Sequence, residues 1–328
     1  MGEGLSCDGY LHPVQLLTLT WKASAGGMIA PRFRFWEIDP VPDAASVGFF
    51  SQRFCSRRWQ PRPRENSMDA KQAFDAGDLQ AAIDAQIQVV KATPADTRAR
   101  TFLFELYSFA GLWDKADKQL EVLAVQKAQA AWGVSVYQNI IAAEQTRAKV
   151  FRDAAKPETF IDPPPFLQLH LDAIAKLRLG EEEAAMQLLA QAAEQRTSVD
   201  GELNGQKVSG LKNADELLAP FLEVILMRDY VWVPWEQVKT LSLMPPQAPR
   251  DLIWAAAKLT LTDGVQRSCY LPAIYSGSGQ VENPAVKLGR QTEWQTSEQG
   301  ITRAFGAQVL DAEGADFGLL DVRMFTRA

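Results

Sequence analysis

Gly77-Asp78-Leu79-Gln80-Ala81-Ala82 and Gly111-Leu112-Trp113-Asp114-Lys115-Ala116 carry the same glycine, and the same alanine five positions later, at an interval of 34 residues. That interval is the period of the tetratricopeptide helix pair. A third copy, Leu179-Gly180-Glu181 with Ala185, follows Gly111 by 69 residues, two periods plus one. Each glycine falls where a first helix ends and the chain reverses, and each alanine lies one turn into the second helix, where its partner approaches. Bulk at the glycine is expected to hold the two helices apart. Pro94 stands just past the second helix, and Asp96 can cap the next. The equivalent of Pro94 after Gly111 is Ala128, so the second copy is imperfect. The alternative is a helical bundle whose glycines recur by chance. Repeats of this kind present a surface for a peptide or helix rather than a chemical centre.

Working outward, apolar periodicity predicts helices over 69–76, 79–92, 96–110, 112–129, 132–151, 166–179 and 181–196, with Pro163-Pro164-Pro165 as a rigid connection before the third pair. In the helix over 96–110, Phe102, Leu103, Leu106, Tyr107, Phe109 and Ala110 surround nearly the whole circumference, which predicts burial between neighbours. Past 197–201 the signal changes. Gly201, Gly205 and Gly210 punctuate short segments, and the runs 221–226 and 230–233 read as apolar strands. Residues 252–261 fit helix or strand, 269–271 is strand-like, 317–324 reads as a closing strand, and turns fall at Asp263-Gly264 and Gly277-Ser278-Gly279. The fold class expected is a multidomain α and α+β chain, with tetratricopeptide-like helical repeats over 68–197 and a β-rich α+β domain over 198–328.

Residues 1–67 carry eight Lys or Arg against six Asp or Glu, and five prolines after position 30 interrupt any apolar period. Leu16 to Leu19 before Ala23-Ser24-Ala25 faintly suggests a signal peptide, but no basic residue precedes that run and Pro13 cuts it. The reading preferred is an extension upstream of a true start at Met68. Mass spectrometry of the native protein tests it, since a peptide from 1–67 would refute it.

Among 328 residues, 34 Lys and Arg stand against 40 Asp and Glu, a net charge of −6, which repels nucleic acid and anionic lipid. Three distant cysteines, Cys7, Cys55 and Cys269, make neither a disulfide framework nor a metal pair, and fit a reducing cytoplasm. Of the two histidines, His12 falls in the extension, and His170 has Asp172 two residues away on a different helix face, so no dyad is expected. Glu181-Glu182-Glu183 suits a helix N-terminus, and Gly277-Ser278-Gly279 lacks the ending of a phosphate loop. Cys269 in an apolar strand reads as packing. No catalytic residue, cofactor or metal is expected. Trp232, Trp235, Trp254 and Trp294 read as core, and Arg250-Asp251 and Gly289-Arg290 as internal ion pairs or ligand contacts, the former preferred.

Five ordered blocks in the second half resemble the ImpE family, also called SciE or TagJ. They are Val233-Pro234-Trp235-Glu236-Gln237-Val238, Pro249-Arg250-Asp251-Leu252-Ile253-Trp254, Asp263-Gly264, Leu271-Pro272-Ala273-Ile274-Tyr275 and Leu288-Gly289-Arg290-Gln291-Thr292-Glu293-Trp294. Ala143-Glu144, Arg147 and Val150-Phe151 fit the same family, and Ala256-Ala257-Lys258 departs from it, where members often carry Arg-Pro. The resemblance covers about residues 69–325. It implies a cytoplasmic, non-enzymatic accessory protein of bacterial type VI secretion that binds a helical segment of the small contractile-sheath subunit, near the step where the unfoldase ATPase recycles sheath. The alternative is a tetratricopeptide scaffold or co-chaperone unrelated to secretion. In either case the first helix of the second pair is expected to line the groove, with Arg98, Phe102 and Glu105 contacting the partner.

Overall fold

The computed structural model describes residues 69–126 and 131–328. The extension 1–67, with Cys7, His12, Cys55 and the Met68 start, lies outside the described residues.

Asp69 opens α1 (Ala70–Ala76) by accepting the backbone N–H groups of Lys71 and Gln72 while Gln72 returns to the Asp69 N–H, a reciprocal cap. Asp78 starts α2 (Leu79–Ala92), and Asp96 starts α3 (Thr97–Phe109), by the same side-chain acceptance. The helices α4 (Trp113–Gln126), α5 (Ala131–Asp153), α6 (Phe166–Arg178) and α7 (Glu182–Glu194) follow. Thus α1–α2, α3–α4 and α6–α7 are helical hairpins, and α5 stands between the second and third.

At the hairpin turns Gly77, Gly111 and Gly180 have φ of 93°, 65° and 75°. The expected crowding is absent: a Cβ on Gly111 or Gly180 would meet nothing within 4 Å, and one on Gly77 would reach only the tip of Arg290. Glycine is required there by left-handed backbone rather than by close approach. Close approach belongs to the alanines instead, since Ala82, Ala116 and Ala185 are wholly buried.

The second half contributes β1 (Gly201–Leu203), β2 (Gln206–Val208), β3 (Lys212–Asn213), β4 (Phe221–Leu226), β5 (Asp229–Pro234), β6 (Val238–Leu243), β7 (Trp254–Leu261), β8 (Gln266–Pro272), the short α8 (Pro284–Lys287), β9 (Thr292–Thr296), β10 (Thr302–Gly306), β11 (Val309–Ala312), β12 (Ala315–Gly318) and β13 (Met324–Arg327). Eight of these form an antiparallel sheet in the order β2-β1-β13-β6-β7-β8-β4-β5, beside a β9–β10 hairpin and a small β12-β11-β3 sheet. The stretch that fits helix or strand is β7, paired with β8 from Trp254 to Thr260 and with β6 from Ala257 to Leu261. The single strand expected over 317–324 is broken. After Gly318 a 3-10 turn (Leu319–Asp321) inserts Leu319, and then Val322, into the core before β13 begins. Ser278–Gln280 is likewise a 3-10 turn. The outer edge of β5 is closed by Glu158, whose N–H donates to Tyr230 O and whose carbonyl accepts Trp232 N–H.

Alternation decides what each sheet face covers. Register pairs place Phe221, Ile225, Tyr230, Trp232, Tyr270 and Trp254 on one face, where they join Phe104, Ile140, Phe166 and Leu171 of the helices in one apolar core. Leu222, Val224, Val231, Val233, Leu259 and Leu271, with Phe325 of β13 on the same face, look the other way, against Leu310, Ala312, Leu319 and Val322. Burial on both faces explains why β4 and β5 are apolar on successive residues, interrupted within β4 only by Glu223.

Candidate protein-binding site

The residues singled out in the sequence divide into those that tie the helical layer to the sheet and a few that remain open. Arg250 lies in a 3-10 turn (Pro249–Leu252) held by Asp251, whose carboxylate accepts the N–H groups of Gln247 at 2.8 Å and Ala248 at 2.9 Å. From that turn Arg250 reaches α3 and α5, donating to Glu105 Oε1 at 2.7 Å and to the Tyr137 hydroxyl at 2.8 Å. Burial pushes the Glu105 carboxyl above its ordinary pKa, and the hydrogen bond and charge of Arg250 pull it back.

This corrects the expected position of Glu105. It is 4% exposed and already paired, because the C-terminal half of α3 runs beneath the sheet layer. Arg98, in the first turn of α3, is exposed, and Phe102 is half-buried with its ring edge-on to Phe74 at 5.9 Å. The structure therefore does not bring Arg98, Phe102 and Glu105 onto one open face.

A second tie is a buried charge cluster. Arg147 of α5 makes two 2.7 Å hydrogen bonds to Glu223 of β4, a third at 2.9 Å to Ile274 O, and a longer contact of 3.3 Å with Glu144. The same two Glu223 oxygens also accept from the Tyr230 hydroxyl and the Gln308 amide, and the other oxygen of Glu144 accepts from the Trp254 indole at 2.9 Å. The two carboxylates hold the Arg147 guanidinium well above its usual pKa although burial opposes this. Glu144 and Arg147 are singled out in the sequence only through the family resemblance; Glu223 and Gln308 have no local signal.

Arg290 donates to Phe74 O at 2.7 Å and Asp75 O at 2.9 Å, carbonyls of the last turn of α1, and lies over the Phe74 ring. Gly289, with φ 61°, lets the preceding turn press on Ile274, where a Cβ would stand 2.8 Å from its side chain. Tyr275 donates to Asn213 Oδ1 at 2.9 Å, and Leu271 and Pro272 close the core at the end of β8. Pro234 ends β5 opposite Phe221, and Trp235 is buried edge-on to Phe325. Asp263 and Gly264 make the β7–β8 turn, with Asp263 accepting Val265 N–H and pairing with Arg267 at 2.6 Å. Of the four tryptophans read as core, Trp232, Trp235 and Trp254 are; Trp294 on β9 is 42% exposed.

Among the described residues, neither His170 nor Cys269 is poised for chemistry at neutral pH. Burial pulls His170 down to about 3, helped by the Arg196 charge, and its Nδ1 donates to Leu217 O. Burial pushes the Cys269 thiol up to about 12. Among the described residues no three His, Cys, Asp or Glu are placed to hold a metal, and no helix is long and apolar enough to cross a membrane.

With this geometry in place, the chain can be set beside known proteins. The ImpE protein family matches residues 205–326. The type VI secretion system accessory component TagJ of Pseudomonas aeruginosa is 32% identical over 261 residues, covering 76% of this chain and 93% of that protein. The crystal structure of protein VPA1032 from Vibrio parahaemolyticus superposes with a TM-score of 0.74 at 20% identity, over 79% of this chain and 97% of that one.

Proposed function

The chain belongs to the ImpE family, and from that membership we propose that it is a cytoplasmic, non-enzymatic adaptor of bacterial type VI secretion. Its partner in this reading is a helical segment of the small contractile-sheath subunit, and it acts near sheath assembly or recycling by the unfoldase ATPase. The observation that carries the reading is that likeness to a secretion accessory component runs through both the helical and the sheet layers. A scaffold unrelated to secretion has no such support.

Helical hairpins with a left-handed glycine at each turn and a buried alanine in each second helix support a tetratricopeptide-like arrangement. In that arrangement the sheet covers the C-terminal half of α3, through Arg250 and Trp254, so the partner is left the N-terminal half, with Arg98 setting register and Phe102 anchoring. The acidic chain favours a basic or neutral segment.

Titration calorimetry with the purified small sheath subunit tests this. Micromolar or tighter binding that Arg98→Ala and Phe102→Ala each weaken at least fivefold, with melting temperatures unchanged for Arg98→Ala, is expected. Absence of binding overturns the partner; binding indifferent to both substitutions overturns the place.

A further inference from the structure

Trp235 and Glu236, the centre of one block singled out in the sequence, line a cavity that the adaptor reading does not use. Its volume is about 100 Å³, and it opens at the seam between α6, α7 and the sheet. Phe166, Val199, Leu211, Pro220 and Trp235 give it apolar walls, and Arg196, just past the end of α7, enters from one side.

The polar groups around this cavity are unevenly satisfied. Lys212 pairs with Asp311 at 3.1 Å, and Glu236 accepts the Thr197 hydroxyl at 3.0 Å. The Arg196 guanidinium is half-buried, yet it has no hydrogen bond or ion pair among the described residues. Glu216, whose charge acts on it, is engaged with the Thr302 N–H at 2.8 Å. Burial accordingly pulls the Arg196 pKa below its ordinary value. The indole Nε1–H of Trp235 is also buried and lacks an acceptor. A guanidinium offers five donors in a planar fork that matches a carboxylate. An arginine without a protein partner at the border of a cavity with otherwise apolar walls suits an occupant with a short hydrocarbon stem and an anionic end.

We infer that this cavity is a receptor for a carboxylate-ended side chain of a partner polypeptide, with the carboxylate on Arg196 and the stem against Phe166, Leu211 and Trp235. Glutamate matches in length: a cavity near 150 Å³ accommodates benzene, so about 100 Å³ suits two methylenes and a carboxylate. A free carboxylate of the same shape has no other contacts to offset the loss of translational freedom, so the side chain is delivered by a chain that also touches the rim. The unpaired Arg196 reverses, locally, the repulsion that the net acidic chain exerts on anions.

The test uses the full chain labelled with nitrogen-15, titrated with a blocked pentapeptide carrying a central glutamate, with its glutamine counterpart, and with butyrate. The reporters are the Trp235 indole N–H and Arg196 Nε–H resonances, identified by their loss in Trp235→Phe and Arg196→Gln. Saturable shifts with the glutamate peptide, at least tenfold weaker binding in Arg196→Gln, and tighter binding in Glu236→Gln, which removes the competing charge at the rim, are expected. Equal response to the glutamine peptide, or an affinity that Arg196→Gln leaves unchanged, overturns the inference. Butyrate binding as tightly as the peptide overturns the polypeptide as its source. Should Arg196→Gln fail to fold, an affinity unmoved by Glu236→Gln counts against it equally. No arm uses the sheath subunit, so the result is independent of the adaptor reading.

Discussion

Arg250 and Glu105 form a contact sensitive to which partner is removed, because the two differ in burial. The Arg250 side chain is 32% exposed and that of Glu105 5%. Removing the arginine strands a carboxylate in the interior, whereas removing both charges strands nothing. Arg250→Ala is expected to destabilise by about 1–3 kcal/mol, less than the 3–5 kcal/mol of a fully buried pair because water reaches the arginine. The Glu105→Gln, Arg250→Met double variant should recover part of that loss in denaturant melts. His170 gives the molecule an acid sensitivity of definite sign. Its folded pKa of about 3 lies below the unfolded value near 6.5, so the unfolded chain binds the extra proton. The stabilisation is complete above about pH 6.5 and is lost as pH falls toward 3, at up to about 1.4 kcal/mol per unit. Between pH 7.5 and 5 the parent chain should lose about 2 kcal/mol more than His170→Gln; identical pH profiles of the two would show that the ring is not held neutral.

At the scale of elements, the glycines separate two physical requirements that a sequence motif merges. Gly111→Ala meets no atom and has only its left-handed φ of 65° to contend with, so about 1 kcal/mol is expected. Gly306, at φ 96°, would also drive a Cβ into the Gln291 carbonyl, and Gly306→Ala should lose 3 kcal/mol or more or fail to fold; thermal melts of the two order them. The helices were legible because caps and apolar periods are local properties. Asp69, Asp78 and Asp96 sit directly before the helices they start, and the apolar runs of β4 and β5 are bounded by turns. β7 was not legible, because Trp254-Ala255-Ala256-Ala257-Lys258-Leu259 has alanines that suit a helix, and only pairing on both sides makes it a strand. The site was less legible than the fold for the same reason. Glu105 meets Arg250 across 145 positions and Arg147 meets Glu223 across 76; no periodicity encodes such pairs. The motif blocks pointed to residues that matter, but their spacing could not tell an open recognition surface from an internal tie.

For the whole molecule, the decisive feature is that the helical layer has no core of its own. Phe104 stacks on Trp254 and Phe166 packs on Phe221, so one apolar cluster runs from α1 through β7. Arg147 adds an electrostatic condition, since its charge is matched only when Glu223 of the sheet is in place. Separating the layers would expose the aromatic cluster and leave Arg147 facing Glu144 alone. The chain over 69–328 should therefore unfold in one transition, with helical ellipticity and near-ultraviolet tryptophan signals coincident and calorimetric and van't Hoff enthalpies equal. Arg147→Met strands Glu223, and Glu144 with it, in the shared interior. It should move both signals together by about 3–5 kcal/mol, and a variant that also carries Glu223→Leu should regain part of the loss. If the helical signal instead melts apart from the tryptophan signal, in the parent or in Arg147→Met, the two layers are separately stable and their common core does not govern folding.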